Sequence, residues 1–252
     1  MPAAFTRAVS PRLGECALTH LDRTAINVAR AIEQHAAYEE ALRDANVEVV
    51  RLPELSGHPD AVFVEDTALL LGEHAVITRP GAPSRADETE STATGLAPHF
   101  TVHRLPGGVL DGGDVLRIGR RLYVGQSSRT DSAGTRALAD LVAPLGYEVV
   151  PIALGRCLHL KTAATYAGEG VVLVNPDWVD AALLEGARPL PVEADEPFAA
   201  NVVRAGERLI MTAGSPRTAA SLRQHGFTVV EIDLSELQKA EAGGTCMSLI
   251  AD

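Results

Sequence analysis

The stretch Val115-Leu116-Arg117-Ile118-Gly119-Arg120-Arg121-Leu122-Tyr123-Val124 reads as two short apolar strands hinged on a glycine, the pattern of a β-hairpin. Three other segments share the layout: Ala68–Ile77 around Gly72, Tyr166–Val174 around Gly168 and Gly170, and Val202–Met211 around Gly206. A helix signal follows the hairpins. Asn175-Pro176 and Ser215-Pro216 set a capping side chain before a proline suited to the first helical turn, and Thr130 and Asp131 are caps for a helix carrying Ala133, Ala137, Leu138 and Leu141. A closing strand then appears at Phe100-Thr101-Val102, Tyr147–Val150, Leu190-Pro191-Val192 and Phe227–Val230.

Val47–Val50 is a fifth closing strand, after an alanine-rich helix expected from about Thr24 to Asn46. Its hairpin has to combine Phe5–Val9 from one chain end with Cys246–Ile250 from the other. The reading is therefore a single α/β domain over residues 1–252: a five-bladed propeller of β-β-α-β units, one unit split between the termini. Such a ring leaves no open sheet edge. An open three-layer α/β domain is the alternative.

Composition narrows the function. The 252 residues carry 22 basic and 33 acidic side chains, a net charge of −11, which speaks against a phosphate-backbone partner. The hydrophobic fraction is 46%, that of an ordinary globular chain, yet no apolar run approaches the roughly 18–20 residues of a membrane span. The N-terminal residues lack the order of a secretory signal. Three widely spaced cysteines, Cys16, Cys157 and Cys246, suit reduced thiols, so a cytoplasmic protein is expected.

Polar side chains gather where the first strand of each unit begins. They are Asp60, Glu65 and Asp66; Asp111 and Asp114; His159; Asn201; and Cys246. In a closed ring those strand ends converge, bringing one thiol, one imidazole and several carboxylates to a common mouth. Each has a plainer reading: a core histidine, a small buried thiol, and an Asp-Gly-Gly-Asp turn in which glycine supplies positive φ. Cys157, His159 and Cys246 are also zinc-type ligands, and His99 and His103 share a strand face, but neither set has the paired spacing of a structural site. No metal is expected.

Phe63-Val64-Glu65-Asp66-Thr67, Leu110-Asp111-Gly112-Gly113-Asp114-Val115, Leu158-His159-Leu160-Lys161-Thr162, Ala199-Ala200-Asn201 and Thr245-Cys246-Met247-Ser248 together resemble the dimethylarginine dimethylaminohydrolases of the guanidino-group-modifying superfamily. The resemblance runs from about Phe5 to the C-terminus. It implies a five-bladed α/β propeller that hydrolyses Nω-methylated arginine to citrulline and a methylamine without a cofactor. It implies Cys246 as nucleophile, His159 as general acid and base, and Asp111 as the third catalytic carboxylate. Glu65 and Asp66 would grip the guanidinium, with Phe63 beside its methyl groups. Leu18, Asp60, Arg85, Arg129 and the Ala240 carbonyl would hold the amino-acid end.

Elementary chemistry agrees. A planar cationic guanidinium wants carboxylates in fork geometry, and a substrate carboxylate wants arginine. Carboxylates crowded around Cys246 would raise its thiol pKa in the empty site. The aperiodic segment from Gly14 to Asp22 is a candidate lid. The expected partner is a small guanidino amino acid, with no nucleic acid and no membrane, and a homodimer is the assembly to test for. Deiminases acting on free arginine or agmatine are the alternatives within the superfamily. A non-catalytic propeller that docks on a partner, or one that sequesters cationic amino acids, would leave Cys246 and His159 idle.

Overall fold

Among the described residues, fifteen short strands pair into five separate sheets of three. The computed structural model describes residues 1–251. The strands are β1 (Ala3–Thr6), β2 (Glu48–Arg51), β3 (Ala68–Leu71), β4 (His74–Ile77), β5 (Thr101–Arg104), β6 (Val115–Ile118), β7 (Arg121–Gln126) and β8 (Glu148–Ala153). Then come β9 (Ala164–Gly168), β10 (Val171–Val174), β11 (Arg188–Pro191), β12 (Val202–Ala205), β13 (Arg208–Thr212), β14 (Thr228–Ile232) and β15 (Leu249–Ala251). The sheets are β15-β1-β2, β3-β4-β5, β6-β7-β8, β9-β10-β11 and β12-β13-β14. In each, the middle strand runs antiparallel to one neighbour and parallel to the other. Ala4 faces Ile250 across the β1–β15 pair.

The expected hairpins all form, and their turns depend on glycine. Gly72, Gly119, Gly170 and Gly206 have φ of +62°, +60°, +68° and +55°, a region a side chain disfavours. Between middle and closing strands lie helices Val28–Asp44, Glu88–Leu96, Ser132–Val142 and Pro216–Gln224. The first is shorter than the expected span: Asn27 caps it by accepting from Arg30 N, and it stops before Asn46, which is left-handed. Asp131 caps the third, whereas Thr130 is spent on Asp114. Ser215 makes no side-chain cap bond.

The helix expected after Asn175-Pro176 is absent. Asn175 instead accepts from Asp177 N and donates to Pro197 O, closing a local turn, and only the single turn Ala181–Leu183 follows. Local capping letters cannot distinguish these two uses of the same side chain.

The apolar core lies in clusters between helices and sheets and is built mostly of Ala, Val and Leu. Leu138 and Val142 of helix Ser132–Val142 are fully buried against Leu122 and Val124 of β7. Each such side chain contributes roughly 2 kcal/mol by leaving water. Arg7 is also fully buried and donates to Pro53 O, Ala61 O and Thr92 Oγ1.

Strands β3, β6, β9, β12 and β15, one from each sheet, all contribute to the wall of a single cavity of about 320 Å³. Just before four of them the chain makes one helical turn: Val64–Thr67, Gly112–Asp114, Leu160–Ala163 and Thr245–Met247. Asn201 takes that place before β12. These turns carry or border the polar residues picked out above, and they place them. Among the described residues no helix is long and apolar enough to cross a membrane.

Candidate active site

A second, smaller cavity of about 30 Å³ brings together Asp60, Phe63, Asp66, Arg85, Arg129, His159, Ala240 and Cys246 from positions far apart in the chain. Ala17, Leu158, Glu241 and Ala242 complete its wall. Three expected site residues lie elsewhere. Asp111 stands behind His159, Leu18 packs against the core beside helix Val28–Asp44, and Glu65 faces the larger cavity.

His159 precedes its one-turn helix in an extended conformation. Its Nε2 lies 3.0 Å from Asp111 Oδ2, and its Nδ1 lies 3.9 Å from Asp66 Oδ1. Asp111 is held in turn: Oδ1 accepts from Gly81 N at 2.7 Å, and its own N–H donates to Thr130 Oγ1. Burial alone would strip His159 of its proton. Asp66, Asp114 and Asp111 outweigh that and raise the imidazole to about 9.

Asp66 is buried and ionised. Burial opposes its charge, but His159 and Arg85, with the Gly113 N–H, hold its carboxyl below the usual range. Arg85 donates to Asp66 Oδ2 at 2.5 Å, to Glu88 at 2.9 and 3.1 Å, and to Phe63 O at 2.6 Å. Its charge is balanced by its own chain while one face lines the cavity. Asp60 accepts from Ala17 N, and burial foremost raises its pKa.

Cys246 sits on the turn Thr245–Met247, partly exposed, its sulfur 3.4 Å from Gly243 N. Burial first, then Glu65 and Asp66, push the thiol well above its ordinary value. The direction matches the sequence reading, but desolvation leads and the carboxylates come second.

Glu65 is fully engaged. Lys161 Nζ donates to one oxygen and Thr245 Oγ1 to the other, both at 2.7 Å. Asn201 ties the same group together by donating to Lys161 O and Thr245 Oγ1 and accepting from Thr245 N. The carboxylate read as a substrate grip thus braces the turn that carries Cys246. Lys161 was visible two residues after His159, but nothing in the letters aims it at Glu65.

The Asp-Gly-Gly-Asp stretch is more than a turn. Neither Gly112 nor Gly113 has positive φ. They are glycine for want of room: a Cβ on Gly112 would lie 2.0 Å from Glu65 O, and one on Gly113 2.7 Å from His159 Nδ1 and 2.8 Å from Asp66 Oδ1. Asp114 accepts from Ser127, Thr130 and Leu160 N, and so anchors the His159 turn.

The candidate metal sets fare differently. Cys157 packs in the core with Leu116, Ile152 and Leu160, away from the small cavity. His99 stacks edge-on against Phe5, and His103 meets His74 at 3.1 Å. Among the described residues, Asp66, Asp111 and His159 do offer ligand atoms within 4.8 Å of one another. His159 and Asp111 of that set are hydrogen-bonded to each other.

In fold and side-chain chemistry, this is an α/β protein of five like sheets with a cysteine–histidine–carboxylate site. The family model for N,N dimethylarginine dimethylhydrolase, eukaryotic, matches residues 19–185. The N(G),N(G)-dimethylarginine dimethylaminohydrolase of Streptomyces coelicolor is 39% identical over 98% of this chain and 95% of its own. A Cys→Ser mutant of the Pseudomonas aeruginosa enzyme, complexed with citrulline, superposes with a TM-score of 0.93 at 33% identity, covering 99% of this chain and 98% of that one. The N-terminal domain of ArgZ, an arginine dihydrolase from cyanobacteria, superposes at 0.89 with 25% identity, covering 100% and 97%. The chain belongs to the dimethylarginine dimethylaminohydrolase family.

Proposed function

We propose that the protein hydrolyses Nω,Nω-dimethyl-L-arginine, and the monomethyl form, to L-citrulline and a methylamine. The observation that carries this reading is one small cavity holding Cys246, His159 and the ionised Asp66 at one place and Asp60, Arg85 and Arg129 around it. Membership of the family supports it. Asp66 suits the guanidinium, and the arginines suit the substrate's carboxylate.

In the mechanism the arriving cation offsets the carboxylates that keep the Cys246 proton in place, and the thiol gives its proton up to solvent. The thiolate forms an S–C bond to the guanidinium carbon. The bond from that carbon to the dimethylamino nitrogen breaks as protonated His159 gives that nitrogen its proton, since the amine leaves badly without it. His159, now neutral, takes a proton from water as its oxygen adds to the thiouronium carbon. Collapse breaks the S–C bond, and the hydroxyl proton passes to the departing sulfur as the carbonyl forms, which frees citrulline and restores the Cys246 thiol. Asp111 holds the imidazole ring in line throughout.

The same reading makes residues 1–252 one catalytic domain, a five-bladed ring whose first unit is shared by the two chain ends. The pairing of β1 with β15 and the cavity common to all five sheets support it. The likeness to an arginine dihydrolase keeps free arginine as the second substrate to test. Two methyl groups are worth only about 1–3 kcal/mol in a fitted pocket.

The experiment is citrulline and amine release from dimethylarginine, monomethylarginine, arginine and agmatine, run beside Cys246→Ser. Dimethylamine from the first, lost in the variant, is the expected result. Ammonia from arginine alone would move the activity to deimination, and no turnover of any of the four would overturn the enzymatic reading.

A further inference from the structure

The loop 16–22 borders the small cavity through Ala17, and a single carboxylate from the far end of the chain gathers that loop in. Glu241 accepts from Thr19 N at 2.9 and 3.0 Å, from His20 N at 2.5 Å and from Leu21 N at 2.6 Å. Three successive amides aimed at one anion form a nest, a geometry in which backbone partial charges add. Glu241 also has a φ of +61°, a left-handed conformation that a glutamate rarely adopts. Its neighbours Ala240 and Ala242 line the cavity with it.

The loop has further ties, and they run to the site. Ala17 N donates to both oxygens of Asp60, and Arg129 Nη2 donates to Thr19 Oγ1 at 2.7 Å. Arg23 donates to Gly14 O and Cys16 O, which keeps the loop's own shape. Glu241 therefore closes a bridge: on one side the cavity wall at 240–242, on the other the loop whose Ala17 and Thr19 touch Asp60 and Arg129.

We propose that Glu241 is a positioning residue for the reaction, clasping residues 19–21 so that Ala17 is held in the cavity wall beside the bound guanidino amino acid. The assignment rests on the functional reading above. The carboxylate does not meet the reacting atoms; it acts by fixing the loop, and through it the surroundings of Asp60 and Arg129.

The test is amide hydrogen exchange over residues 17–22 in the full chain, with Glu241→Ala, Glu241→Gln and Glu241→Gly. Glycine keeps the left-handed backbone and removes the clasp; glutamine keeps an acceptor oxygen and removes the charge. Exchange at Thr19, His20 and Leu21 is expected to rise about tenfold or more in the alanine and glycine variants and less in glutamine. Helix Val28–Asp44 should stay protected in all. KM for dimethylarginine should rise about tenfold while kcat stays within about threefold. Unchanged exchange at those three amides in Glu241→Gly would overturn the proposal. So would exchange that rises equally in the helix, or kcat falling with KM unmoved. If the parent protein turns over no dimethylarginine, the functional reading fails, and the exchange result still decides the clasp.

Discussion

His159 Nε2 lies 3.0 Å from Asp111 Oδ2, and Asp111 Oδ1 is fixed 2.7 Å from Gly81 N, so the imidazole is oriented by a carboxylate that cannot swing away. Asp111 thus orients the ring, and it adds to the charge of Asp66 and Asp114 that keeps the ring protonated. That relationship gives the most direct prediction about the chemistry.

Asp111→Asn keeps the shape and removes one of the three carboxylate charges that favour protonated His159. The histidine titration, followed by NMR, should move down from about 9, and turnover should drop by about 10²–10⁴. A variant with normal turnover would mean that His159 needs no carboxylate behind it.

Gly113→Ala and Gly112→Ala should fail in different ways. At 113 the added Cβ meets the His159 ring and the Asp66 carboxylate, so the chain should fold while activity falls by at least about 10². At 112 it meets the backbone carbonyl of Glu65, so the loss should appear as stability, about 2–3 kcal/mol or more in denaturant unfolding.

Cys246 should be a protonated thiol in the empty protein at neutral pH, because burial and then Glu65 and Asp66 raise its pKa. Alkylation by a neutral reagent, mapped to Cys246 by mass spectrometry, should accelerate about tenfold per unit between pH 7 and pH 9. A rate flat over that interval would show that the thiolate is already formed.

The raised value of His159 makes stability depend on pH. Its folded pKa, about 9, lies above the unfolded 6.5, so the stabilisation is complete below about pH 6.5 and is lost as pH rises through about 9. The whole effect is of the order of 3 kcal/mol. Urea midpoints of the parent should fall across that window, and those of His159→Gln should fall less.

Much of the architecture could be read from local letters, because a hairpin needs only neighbours. Apolar runs around Gly72, Gly119, Gly170 and Gly206 announce four hairpins, and the turns take the positive φ that glycine tolerates. The strand starts likewise marked the polar side chains. Where a residue had two local uses the letters misled: Asn175 folds back on Asp177 N instead of starting a helix.

What the sequence alone determined, then, is the repeat of apolar strand, glycine turn and apolar strand, and the residue types available for chemistry. Both rest on interactions between near neighbours. Only the tertiary structure decided the partners. It turned Glu65 toward Lys161 and Thr245, set Asp111 behind His159, and brought Glu241 to the amides of residues 19–21. It also showed that Gly112 and Gly113 are small because other chain segments press against them. Those contacts link residues tens to hundreds of positions apart, and their distances follow from how the sheets pack, which no local pattern encodes.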